Sequence, residues 1–210
     1  AMSIVEILYS IYSRVKKDED VFILSKGHGC LALYAVLVEV GLLDKEELES
    51  FCKYDSILGG HPHRQKHKEF YCSAGSLGHG LPMAVGAALA KKIKGEKGIV
   101  CCLIGDGESN EGTVWESLML AKNLNLNNLI CIIDDNNSQT RSMPVRALEE
   151  KVKSFQWHTK VVDGHNVENI TEALSEDLSA PLCLICQTIK GKGISEMETN
   201  TFAWHHGPPN

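Results

Sequence analysis

Apolar residues recur every three or four positions at Ile4, Ile7, Leu8, Ile11, Tyr12 and Val15, again at Leu31, Tyr34, Ala35 and Val38, and again at Leu81, Ala84, Val85, Ala88 and Leu89. That spacing puts each set on one side of a 3.6-residue turn and predicts three amphipathic helices, over 4–15, 31–38 and 81–89. Beyond residue 98 the pattern changes. Apolar, β-branched runs over 99–104, 129–133, 161–162 and 182–189 predict strands, and helical spacing over 114–124 and 167–178 falls between them. Strand and helix in alternation imply parallel pairing through crossover helices. The strand runs are almost continuously apolar, as strands buried on both faces must be. The expected fold class is α/β, a doubly wound parallel sheet with helices on both faces.

A chain of 210 residues, 43% apolar with 6 prolines, is long enough to bury one substantial core. It has no repeat, low-complexity tract or long linker, so a single domain over 1–210 is expected, carrying a basic, His-containing loop over 61–68. Net charge is −6, from 21 basic and 27 acidic side chains, which argues against a nucleic-acid partner or an anionic membrane surface. No apolar run approaches the ~20 residues of a membrane span, and the start lacks the features of a signal peptide. A cytoplasmic protein is expected. Its eight cysteines lie mostly in apolar runs and read as buried, reduced thiols. Cys183 and Cys186 form a Cys-x-x-Cys, but within a strand residues three apart point to opposite faces, which disfavours metal or redox chemistry there. The chain opens inside a helical pattern, with Met at position 2, and is expected to lack part of its N-terminal region.

The strongest chemical signal is Gly105-Asp106-Gly107 at the end of one predicted strand and Asp134-Asp135-Asn136-Asn137 at the end of the next. Asn136 lies 30 positions after Asp106, about one strand-helix-strand unit, which returns both strand ends to one edge of a parallel sheet. A carboxylate and an amide carbonyl converging there suit Mg²⁺ or Ca²⁺, hard cations that complete their shell with water and phosphate oxygens. Such a metal would anchor a diphosphate. The glycines allow a tight turn and a close approach of backbone to ligand.

These residues resemble the thiamine diphosphate-binding motif, and the resemblance is closest to the transketolase family. It implies Asp106, Asn136 and the backbone carbonyl of Ser138 as metal ligands. Leu24-Ser25-Lys26-Gly27-His28 is similar to the segment whose histidine meets the diphosphate and the donor sugar. Gly60-His61-Pro62 resembles the segment whose histidine faces substrate, and Ser76-Leu77-Gly78-His79-Gly80 resembles the Gly-rich segment over the cofactor, opening a helix whose N-terminus favours anions. Many transketolases have Gln where this chain has His79. Lys190-Gly191-Lys192-Gly193 and Trp204-His205-His206-Gly207 resemble the closing segments, with His205 preferred to His206 as the substrate-facing residue because it directly follows the aromatic. The implied catalytic residues are His28, His61 and His205. The implied cofactor-binding residues are His28, Gly75, Ser76, Leu77, Gly105, Asp106, Gly107, Glu108 and Asn136. Glu111 and Glu116 resemble glutamates at a subunit interface, although Glu in a first helical turn is also favoured by the macrodipole.

In the family, the carboxylic acid that assists cofactor deprotonation belongs to a second, pyrimidine-binding domain, and 210 residues do not hold two α/β domains of this kind. The resemblance therefore implies the diphosphate-binding subunit of a two-chain transketolase, with a pyrimidine-domain partner subunit in an α2β2 assembly and sugars or sugar phosphates as substrates. The family's further Ser-Gly-His segment, which precedes the first helix, is absent from this sequence. The alternative is the cofactor-binding subunit of a 2-oxo-acid dehydrogenase, which shares Gly-Asp-Gly and a continuation like Asn110-Glu111-Gly112. The Leu-Ser-Lys-Gly-His, Gly-His-Pro and Lys-Gly-Lys-Gly segments argue against it. A non-enzymatic, doubly wound binding domain is the third reading.

Overall fold

The computed structural model describes residues 1–139, 143–200 and 203–204. His205 and His206 lie outside the described residues. Five parallel strands, β1 (Val21–Leu24), β2 (Val100–Gly105), β3 (Leu129–Asp135), β4 (His158–Asp163) and β5 (Leu182–Gln187), form one sheet in the order β1-β2-β3-β5-β4. Parallel register aligns Leu24 with Leu103, Gly105 with Asp134, and Asp135 with Gln187, so the carboxyl ends of β1, β2, β3 and β5 collect at one edge.

The helices are α1 (Val5–Ser10), α2 (Cys30–Glu39), α3 (Lys45–Glu49), α4 (Gly80–Lys94), α5 (Gly112–Asn123), α6 (Leu148–Ser154), α7 (Val167–Leu174) and α8 (Ser195–Thr199). Alternate side chains of each strand feed two separate cores. Phe22, Leu24, Cys101, Leu103, Ile130, Ile132, Leu182 and Leu184 pack with α1, α2 and α7, whereas Ile23, Cys102, Ile104, Cys131, Ile133 and Ile185 pack with α4, α5 and α6. This is the doubly wound arrangement that the near-continuous apolar strands imply. Cys183 belongs to one core and Cys186 to the other, and none of the eight cysteines is disulfide-bonded.

Four elements escape the apolar pattern, β1, α3, α6 and α8, and the five-residue helices α3 and α8 bury no side chain. β1 contributes only four residues after the acidic Asp18-Glu19-Asp20 turn, too short for a period to register. α6 is charged on its outer face and buries only Leu148 and Val152. Periodicity over 4–15 is real but divided, α1 giving way to a wider π-type turn over Ile11–Val15. α7 stops at Leu174, where the 167–178 pattern would run on, because the polar Ser175-Glu176-Asp177 leaves the core. β4 runs well beyond 161–162, its alternating exposure marking an edge strand.

Candidate active site at the carboxyl edge of the sheet

β2 ends in Gly105, and Asp106 starts a 3₁₀ turn over Gly107–Asn110 that leads into α5. Asp106 is 2% exposed. Its Oδ1 accepts hydrogen bonds from the Gly107 N–H (2.8 Å) and the Ser138 hydroxyl (3.1 Å). Its Oδ2 is buried and accepts none from the described residues. A buried carboxylate oxygen left unsatisfied is costly, and a cation is the partner that relieves it. Asn136 stands at the end of the neighbouring strand; its Oδ1 accepts the Ser138 N–H at 3.0 Å and its Nδ2 donates to Asp134 Oδ2 at 2.7 Å. Asn137 takes the left-handed conformation (φ 58°), which Asn tolerates better than most residues, and so turns the chain back toward Asp106 at Ser138. The two strand ends do meet, and their donor set of carboxylate, amide and backbone oxygens fits Mg²⁺ or Ca²⁺. Among the described residues no group of three or more His, Cys, Asp or Glu is placed to hold a metal, so the candidate set rests on one carboxylate with amide and backbone oxygens.

Asp134, fully buried, organises this edge. It accepts hydrogen bonds from Lys26 Nζ, with which it also forms an ion pair, from the Thr188 hydroxyl, from Ser3 Oγ (2.8 Å) and from Asn136 Nδ2, while its backbone carbonyl accepts the Asp106 N–H (3.1 Å). Burial opposes its charge, yet the Lys26 ammonium and the hydrogen bonds from Lys26, Thr188 and Ser3 prevail and hold its carboxyl below the ordinary range. Asp135, half-buried, moves the other way under burial and the charges of Asp106 and Asp134. Burial, then the Lys26 charge, lowers the Lys190 ammonium, while Asp106 and Asp134 pull it up.

Glu108 turns inward. Its carboxylate accepts hydrogen bonds from the Ser25 hydroxyl and from the N–H groups of Gly78 (2.8 Å) and Gly105 (3.2 Å), and burial pushes its carboxyl up despite those donors. Ser25 Oγ in turn accepts the Gly80 N–H at 3.0 Å. The Gly-rich segment is thereby tied to the ends of β1 and β2. Its glycines are steric requirements, since a Cβ at Gly80 would sit 2.3 Å from the Ser25 side chain and one at Gly78 (φ +80°) 2.6 Å from Glu111 and Thr113. Ser76, Leu77 and His79 remain exposed, the His79 ring lying 3.0 Å from the Leu77 carbonyl.

The histidines come together in part. His28 is exposed on a 3₁₀ turn, Gly27–Gly29, directly after Lys26. The His61 ring lies over Gly27, where a Cβ would be 2.8 Å from its Cδ2, and beside Gly75. Gly27 and Gly75 thus flank the His61 ring, and His28 is the residue next to Gly27 in the chain.

Residues 2–209 match the family profile described as "Transketolase, thiamine diphosphate binding domain". The chain belongs to the transketolase family. It is 35% identical over 224 residues to one of the subunits of the apulose-4-phosphate transketolase of Actinobacillus succinogenes, covering 99% of this chain and 81% of that protein. It is 36% identical over 220 residues to human transketolase, covering 99% of this chain and 35% of that protein, so it spans about a third of such full-length relatives. The solved transketolase from Campylobacter jejuni superposes with a TM-score of 0.85 at 26% identity, over 93% of this chain and 34% of that one.

Within this transketolase-type fold, sequence reasoning missed roles for Ser3, Ser25, Lys26, Asp134 and Thr188. One of them signals itself: Asp134 is an acid at the end of an apolar run. Replacing Asp106 with Ala should abolish metal-dependent binding of thiamine diphosphate while the domain stays folded. Calorimetric titration with cofactor and Mg²⁺ checks this, and unchanged affinity in a folded variant would refute the assignment. Asp134→Asn should cost about 3–5 kcal/mol at neutral pH, because Lys26 is left buried without its counter-ion. A carboxyl with a depressed pKa stabilises above the ordinary carboxylate range and loses that effect as pH falls through its lowered value. The gap between the variant and the parent, measured by urea unfolding, should therefore narrow on acidification.

Proposed function

We propose that the chain is the diphosphate-binding subunit of a thiamine diphosphate-dependent transketolase, which moves a two-carbon ketol unit from a ketose or ketose phosphate to an aldose and requires a pyrimidine-domain partner subunit, in an α2β2 assembly. The observation that carries the reading is the buried Oδ2 of Asp106, which has no hydrogen-bond partner among the described residues, on a carboxylate joined through Ser138 to Asn136 at the edge where α/β sheets bind phosphorylated ligands. A relative whose name makes it one subunit of a transketolase, matched over 81% of its length, supports the two-chain organisation, and its named sugar phosphate supports the substrate class.

Asp106 Oδ2, Asn136 Oδ1 and the Ser138 carbonyl would hold Mg²⁺ or Ca²⁺, and with it the diphosphate. Gly105, Gly107 and the backbone of Glu108 line the same turn, and Gly75, Ser76 and Leu77, at the start of the segment that Glu108 and Ser25 tie down at Gly78 and Gly80, would meet the cofactor. Bound thiamine diphosphate supplies a carbon nucleophile and an electron sink for breaking the bond next to a ketone. His28, His61 and His205 would hold the donor's hydroxyls and take or return protons at those oxygens. Glu111 and Glu116, exposed where α5 begins, would face the partner. Eight free cysteines fit the reducing cytoplasm, and among the described residues no helix is long and apolar enough to cross a membrane.

His61→Ala should lower kcat of the two-subunit enzyme by roughly 10²-fold with little change in cofactor affinity, the usual scale for loss of a proton-transfer group. Normal turnover in steady-state assays would remove His61 from the mechanism. The isolated chain, given cofactor and Mg²⁺, should not consume hydroxypyruvate or xylulose 5-phosphate, and adding the pyrimidine-domain subunit should restore consumption. Robust turnover by the chain alone would overturn the two-subunit reading and leave the metal site standing.

A further inference from the structure

His61 follows two glycines, Gly59 and Gly60, the backbone most able to wander. A Cβ at Gly60 would meet nothing within 4 Å, and one at Gly59 would touch only the His61 carbonyl, so neither glycine is there to avoid a clash. Both of their carbonyls are nevertheless held. Tyr34 Oη donates to the Gly59 carbonyl at 2.9 Å, and Cys30 Sγ donates to the Gly60 carbonyl at 3.1 Å. Cys30 and Tyr34 are four residues apart on α2, one helical turn, so one face of the helix presents two donors to two successive carbonyls.

The donors are themselves rigid. Tyr34 is fully buried and its ring packs on Phe51 and Phe70; Cys30 is 2% exposed at the start of α2, directly after the Gly27–Gly29 turn that carries His28. Beyond His61, the Pro62 carbonyl accepts the Ala74 N–H at 3.1 Å, closing the far side of the loop. The imidazole then has a socket against Gly27 and Gly75. Burial raises the pKa of both donors, so thiol and phenol keep their protons across the working pH range.

We infer that Cys30 and Tyr34 are positioning residues for His61, fixing the Gly59-Gly60 backbone so that the imidazole meets substrate at one distance and angle beside His28. This rests on the reading of His61 as substrate-facing. Neither side chain touches substrate. The hydroxyl and thiol act through the loop, and an error of an ångström in a catalytic group is enough to slow a reaction.

The test uses Cys30→Ala, Tyr34→Phe and the conservative Cys30→Ser in the two-subunit enzyme, with xylulose 5-phosphate as donor. Loss of one hydrogen bond should lower kcat about fivefold, with KM and cofactor affinity nearly unchanged, and Cys30→Ser, which keeps a donor, should recover most of it. In a His61→Ala background the same substitutions should have less than about a twofold effect, because their route runs through that residue. Equal losses with and without His61 would overturn the inference. A second readout needs no turnover: the His61 ring resonances of the isolated chain, assigned by comparison with His61→Ala, should shift or broaden in Cys30→Ala and Tyr34→Phe and return in Cys30→Ser. Unmoved resonances would refute positioning outright. If His61→Ala itself leaves turnover intact while these resonances move, the placement stands and the catalytic role of His61 falls.

Discussion

A lysine and an aspartate are paired beneath the carboxyl edge of the sheet with almost no access to water, and the rest of the site is arranged around them. Taking two charges out of water costs several kcal/mol per ion unless every remaining lone pair and proton finds a partner. Asp134 meets that demand with Lys26, Thr188, Ser3 and Asn136, and so binds together the residues just beyond β1, β3 and β5 and the turn before α1. The pair contributes less to stability than to arrangement. Because Asp134 accepts from the Asn136 amide nitrogen, the Asn136 carbonyl oxygen is turned to the Ser138 N–H. One electrostatic requirement thereby selects which end of an amide can meet a cation.

Much of the scaffold could be read in the chain because the physics is local. Continuous apolar runs can only be strands covered on both sides, and the 30-residue interval from Asp106 to Asn136 leaves few ways to bring two polar loops together. The hydrogen-bonded core of the site was harder to read. Lys26 and Asp134 are 108 positions apart, Ser25 and Glu108 are 83, and no periodicity links them. Glu108 shows the difference between proximity and contact. Its position after Gly-Asp-Gly places it at the start of the turn beyond β2, but only packing shows its carboxylate turned toward Ser25, Gly78 and Gly105. β1, α3, α6 and α8 went unread because a four-residue strand and short charged helices carry too little pattern.

Several glycines of the site serve as space, not flexibility. Gly80 makes room for Ser25, Gly78 for Glu111 and Thr113, and Gly27 for the His61 ring. In each case a missing side chain on one segment is filled by a polar side chain from another, so the loops interlock and no single one is free to move alone. The Gly59-Gly60 pair is the exception, with open space around it and side-chain donors supplying the restraint that packing supplies elsewhere.

The edges of the sheet constrain how such a chain can associate. β4, at one margin, carries His158 and Lys160, both drawn to Glu176, and charges along a margin discourage a foreign strand from docking and seeding aggregation. β1, at the other, is four residues long, and residues 69–72 lie against it. Neither margin invites the sheet to continue into a neighbour. A second chain, if it docked, would meet helix faces and loops, whose side-chain shapes discriminate between partners, rather than exposed backbone, which would accept almost any extended chain.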